Sequence, residues 1–127
     1  MSGENTLKIH SFTDLHAWKE GHKLVLSIYK ITKEFPKEER FALVDQLRRC
    51  SVSITSNIAE GFSRYGKLEK KQFYRIALGS LTELQNQLLI ARDLEYISKE
   101  DFQKLAGMTV SESRMINGLI KSLNTRH

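Results

Sequence analysis

The chain has one cysteine, Cys50, in 127 residues, so no internal disulfide is available to it. The thiol falls within an apolar helical pattern, which predicts a small core residue in a reducing compartment. With one cysteine, a zinc cluster would have to come from the histidines, and these are poorly placed. His16 and His22 lie six residues apart, on different faces of a helix, and His10 and His127 sit near the ends. No metal or other cofactor is expected. The seven glycines form neither the Gly-x-x-x-x-Gly-Lys phosphate loop nor a dinucleotide fingerprint. No serine occupies a glycine-flanked elbow with a histidine base to activate it. No apolar run approaches the ~20 residues that cross a bilayer, and the first dozen residues lack the continuous apolar stretch of a signal peptide. Solenoid-length repeats and low-complexity tracts are missing too. The expectation is a soluble, cytoplasmic, single-domain protein that is not an enzyme and takes neither a membrane nor a small-molecule substrate.

Proline is equally scarce, and Pro36, with the clusters Gly61 to Gly66 and Glu95 to Ser98, divides the chain into four helical segments. Strand-like alternation is absent. The reading is an all-α, antiparallel up-down-up-down four-helix bundle over residues 13–127, preceded by a flexible arm, residues 1–12. The helices are placed at about 14–35, 37–61, 67–94 and 99–124. Ser11 with Asp14, or Thr13 alone, caps the first, and Ser98 with Asp101 caps the fourth. Pro36, with no N–H and a preset φ, suits the opening position of the second.

Within the second segment Val44, Leu47, Cys50 or Ser51, Ile54 and Ile58 recur every three or four residues and so share one face. The third repeats the pattern with Phe73, Ile76, Ala77, Ser80, Leu84, Leu88 and Ala91, and the fourth offers Phe102, Leu105, Ile116, Leu119 and Leu123. Two helices are more apolar than a monomeric bundle needs. The first carries Leu24, Val25, Leu26, Ile28, Tyr29 and Ile31, and the third adds Tyr74, Leu78, Leu81, Leu89 and Ile90. Helices apolar around much of their circumference call for burial on two sides, which predicts a homo-oligomer.

The stretch from Phe35 to Arg64 reads Gln46-Leu47-Arg48-Arg49-Cys50-Ser51-Val52-Ser53-Ile54, then Asn57-Ile58-Ala59-Glu60-Gly61. Trp18 stands upstream, and Ile76-Ala77-Leu78-Gly79-Ser80 followed by Glu83-Leu84 stands downstream. Over roughly Phe12 to Leu123 this pattern resembles the four-helix-bundle proteins encoded by intervening sequences of bacterial 23S ribosomal RNA genes. That family is itself similar to the accessory protein of diversity-generating retroelements. The resemblance implies a small helical bundle, a homopentamer and a basic surface that holds nucleic acid.

The charge balance agrees in sign: 20 Lys and Arg against 15 Asp and Glu leave +5. Arg64, Lys67, Lys70, Lys71 and Arg75 crowd the turn between the second and third helices and the first turns of the third, where the helix dipole favours anions instead. A phosphate would reconcile the two. Arg48 and Arg49 extend the strip on a hairpin that turns near residue 63 or 64, since Arg49 is then level with about residue 78, only ~4.5 Å along the axis from Arg75. The predicted nucleic-acid surface is therefore Arg48, Arg49, Arg64, Lys67, Lys70, Lys71 and Arg75, with Tyr65 as an exposed aromatic for stacking on a base or a solvated turn residue. The alternative is an interaction scaffold that docks an acidic protein. A third reading, a hydrolase built on Glu60 and Glu83, needs those carboxylates together; hydrogen bonding between helix ends and subunits is the simpler use for them and for Asn57.

Overall fold

The computed structural model describes residues 9–124, and within them the chain forms four long helices and no strand. They are α1 (His16–Thr32), α2 (Leu43–Ser63), α3 (Lys67–Asp93) and α4 (Lys99–Ser122). The principal packed pairs are α1 with α2, α2 with α3, α3 with α4 and α4 with α1, so successive antiparallel helices close into a bundle. Residues 1–8 of the expected arm lie outside the described residues, but its last four are held. The Asp14 carboxylate accepts from the backbone N–H of His10 at 2.9 Å and of Ser11 at 3.2 Å, while Ser11 Oγ accepts from Thr13, closing a capping box around a short 3-10 turn at Phe12–Asp14. Those two N–H donors hold the Asp14 carboxyl below the usual carboxylate range.

The core is the stripe expected from helical spacing. Leu24 and Ile28 of α1, Leu47, Ile54 and Ile58 of α2, Leu81, Leu84 and Leu88 of α3 and Ile116 of α4 are all fully buried. Each such side chain contributes about 1.5–3 kcal/mol relative to remaining in water. Two positions of the third helix differ, the first being Phe73, which is only half-buried and lies beside Gly61 at the seam with α2. Ile76 is 51% exposed, and Tyr74 and Leu81 take the core row with Ala77. The reason is angular: the row Tyr74, Ala77, Leu81, Leu84, Leu88, Ala91 keeps three- and four-residue steps, and Ile76 lies ~100° behind Ala77.

The start of α2 also corrects the sequence reading. Pro36 opens a 3-10 turn, Lys37–Glu39, and the backbone of Ala42 leaves the helical region (φ −122°, ψ −102°) before α2 begins at Leu43. Proline's preset φ serves the turn equally well, residues 37–40 are all charged, and Phe41 stays 86% exposed, so no side chain is buried until Leu43 and Val44. Glu39 ties this corner together. Its carboxylate accepts from the N–H of Leu43 at 3.2 Å and from the Tyr96 hydroxyl at 2.9 Å, and the Tyr96 ring packs on Phe35 with centroids 5.3 Å apart.

Candidate nucleic-acid interface

The hairpin of α2 and α3 positions most of the candidate cations, so its register decides which of them meet. A Cβ on Gly61 would sit 2.7 Å from the Tyr74 ring; the Ser53 and Ser80 hydroxyls lie 2.8 Å apart; the Cys50 thiol lies 2.9 Å from the Ser80 carbonyl and 3.8 Å from Glu83. These contacts set Arg49 level with about residue 84. Arg75 is then about 13 Å away along the axis at ~1.5 Å per residue, three times the separation expected from the sequence. The shared strip of Arg49 and Arg75 does not form. The turn spans Arg64 to Gly66, but Gly61 lets the helices close tightly beside it, which shifts the pairing by several residues.

Four of the seven candidates have occupations within the fold. Arg48 reaches the C-terminal end of α1, where Nε donates to Thr32 Oγ1 at 2.9 Å, a terminal nitrogen lies 3.4 Å from the Tyr29 carbonyl, and the guanidinium lies 4.6 Å from the Tyr29 ring centroid. Arg49, 78% exposed, pairs with Asp45 one turn earlier at 3.1 Å. Arg64 bonds Glu60 at 2.6 Å and lies over the Phe73 ring at 4.9 Å. Lys70 donates to the Phe62 carbonyl at 2.8 Å, an acceptor at the open end of α2, and approaches that of Gly61, which also accepts the Arg64 N–H, at 3.4 Å. Partial burial there pulls its ammonium pKa below the ordinary lysine value. Lysine near the start of α3 thus has a structural use that the sequence does not disclose, because the negative end of α2 lies against the positive end of α3.

Lys67, Lys71 and Arg75 remain. Their side chains make no hydrogen bond or ion pair among the described residues, and their four-residue spacing aligns them in one row. The Gln85 amide donates to Thr109 Oγ1 at 3.1 Å, so the flank of α3 bearing Gln85 faces α4. At ~100° per residue Lys67 and Lys71 fall on that flank, with Arg75 turning outward, whereas α2 packs on the other side through Phe73 and Ser80. The same contact sets Lys121 level with about residue 73 and Arg114 level with about residue 80, both exposed on the outer side of α4. Sequence reasoning missed these two. Their seven-residue spacing is a signal of a shared face, but only the register of α3 on α4 brings that face beside Lys71 and Arg75. Tyr65 is fully exposed in the turn.

The family model of the 23S rRNA-intervening sequence protein matches residues 13–118, most of the chain. The chain belongs to the 23S rRNA-intervening sequence protein family. A similar solved structure is that of a protein of unknown function from the S23 ribosomal protein family of Bacteroides thetaiotaomicron. It is 21% identical with a TM-score of 0.77, over 83% of this chain and 95% of that one, a likeness of fold. No curated protein matches.

In this member of the 23S rRNA-intervening sequence protein family, several motif residues that carried the resemblance line the seam of α2 and α3. Asn57 donates to the Ser53 carbonyl at 2.8 Å and lies 3.1 Å from its hydroxyl, which meets Ser80; the Cys50 thiol donates to the Ser80 carbonyl. Burial and the neighbouring Glu83 carboxylate push the thiol pKa up to about 12, so Cys50 is a packing residue and a poor nucleophile. Glu60 and Glu83 are not neighbours: the register separates them by about 15 Å along the hairpin. Among the described residues no group of three His, Cys, Asp or Glu side chains is placed to hold a metal ion, and no helix is long and apolar enough to cross a membrane.

Proposed function

We propose that this protein is a non-enzymatic, cytoplasmic, oligomeric bundle that holds the sugar-phosphate backbone of RNA or DNA along the outer flank of α3 and α4. The observation that carries the reading is the row Lys67, Lys71 and Arg75, which has no hydrogen-bond or ion-pair partner among the described residues and is flanked by Arg114 and Lys121. A row of unpaired cations on rigid helices suits a polyanion with regularly spaced charge, and the absence of a base-reading element restricts recognition to phosphate and shape. Structured ribosomal RNA is the first ligand to try, given the family's name.

Self-association is the second half of the proposal. Ile76 and Ile90 are exposed on one side of α3, with Leu94 just beyond its end, an apolar surface that a second copy would cover. Five copies is the number that the family resemblance implies. Repetition of the cationic flank around such a ring would turn weak phosphate contacts into avidity.

Fluorescence anisotropy of labelled duplex RNA and DNA across a salt series tests the reading. With ~2 phosphates engaged by each of two subunits, log affinity should fall against log salt with a slope near −3.6, from ~0.9 per phosphate. The exposed apolar row beside the cations also fits an acidic protein partner, and an intact oligomer that binds no nucleic acid at low salt would favour that scaffold.

A further inference from the structure

Glu112, in the middle of α4, is only 1% exposed. Neither of its carboxylate oxygens has a hydrogen-bond partner among the described residues. On the α1 side it meets Gly21, the one residue type that leaves room: a Cβ there would lie 2.7 Å from Glu112 Oε2 and 3.0 Å from the Thr55 methyl of α2. The polar groups around it are otherwise engaged. The Thr55 hydroxyl donates to the Val52 carbonyl at 3.1 Å, and Thr109, one turn earlier on α4, accepts from Gln85 of α3 and donates to the Ala106 carbonyl. The charged group acting on it is Glu20 of α1, a carboxylate that pairs with Lys23 at 3.1 Å, and among the described residues no cation bonds Glu112 itself. A carboxylate with no partner in such a place carries a desolvation cost that the neutral acid largely avoids.

We propose that Glu112 is the protonated acid in the folded bundle at neutral pH, and that its ionisation loosens the seam of α1 and α4 at Gly21, making the fold sensitive to mild alkali. Burial, then the Glu20 charge, pushes the carboxyl up to about 8. In the unfolded chain the same group titrates near ~4.3. Between these values the folded state holds a proton that the unfolded state has lost, so stability falls as pH rises. It is highest below the unfolded value, and the loss is complete above about 8.

Urea unfolding of wild type and Glu112→Gln from pH 5 to pH 9, at one protein concentration, reads the effect. Glutamine keeps the shape and a neutral polar group but cannot ionise. The wild-type folding constant should drop relative to that of the variant by up to about tenfold per pH unit until the folded value is passed; a ratio that does not change with pH overturns the proposal. If the variant does not fold, carbon-13 NMR of the assigned Glu112 carboxyl in wild type decides. A titration midpoint near pH 8 supports the proposal, and one in the ordinary carboxylate range refutes it.

Discussion

Arg48 shows how differently two basic side chains of one surface can be employed. It spans from α2 to the end of α1, bonded to Thr32 and stacked on Tyr29, and its removal takes from the buried Thr32 hydroxyl the donor it accepts from and loosens the contact to the Tyr29 carbonyl. Arg48→Ala should therefore destabilise the bundle by about 1–2 kcal/mol in urea unfolding, whereas Lys71→Ala should stay within about 0.5 kcal/mol. This division was not legible in the sequence. Arg48, Lys70 and Lys71 read alike as cations in a basic segment, and what separates them is whether a neighbouring helix presents a carbonyl, which depends on the crossing of α1, α2 and α3. Cys50 was legible, because a lone thiol on an apolar stripe has few other uses.

At the scale of elements, the four helices and most of their buried faces followed from three- and four-residue spacing, and Ile54, Ile58, Leu84 and Leu88 sit where that spacing puts them. The starts of α3 at Lys67 and of α4 at Lys99, under its Ser98 cap, followed as well, but the start of α2 and the register of α2 on α3 did not. Pro36 is compatible with a turn and with a helix alike, and the charged run after it decides for the turn. The register of α2 on α3 depends on how closely the two backbones approach, and Gly61 under the Tyr74 ring sets that approach. Gly61→Ala should cost about 1–3 kcal/mol, since a methyl there must displace a buried aromatic ring, even though alanine is the better helix former. A thermal or urea denaturation series reads this directly, and a stabilised variant would mean that Tyr74 is free to move.

The whole molecule presents two kinds of exposed surface: an apolar row on α3 and a cationic flank shared by α3 and α4. Ile76 and Ile90 are exposed and outside the core, so Ile76→Lys with Ile90→Lys should leave far-UV circular dichroism unchanged while reducing the mass measured by light scattering to that of smaller species. Retention of the wild-type mass would show that α3 is not the interface. The proposed ring would multiply each subunit's few proposed phosphate contacts, so loss of the oligomer should also weaken binding to nucleic acid.

On the proposed function, the cations without partners among the described residues bind phosphate while those engaged in the fold support the bundle. The most direct test compares two triple variants in duplex-RNA anisotropy at fixed low salt, each checked for mass and helicity. Lys67→Glu, Lys71→Glu and Arg75→Glu together should abolish binding and keep the fold, whereas Arg48→Gln, Arg49→Gln and Lys70→Gln together should lower stability and retain most of the affinity where the protein remains folded. Unchanged affinity in the first variant, or complete loss in a folded second variant, would contradict the proposed function.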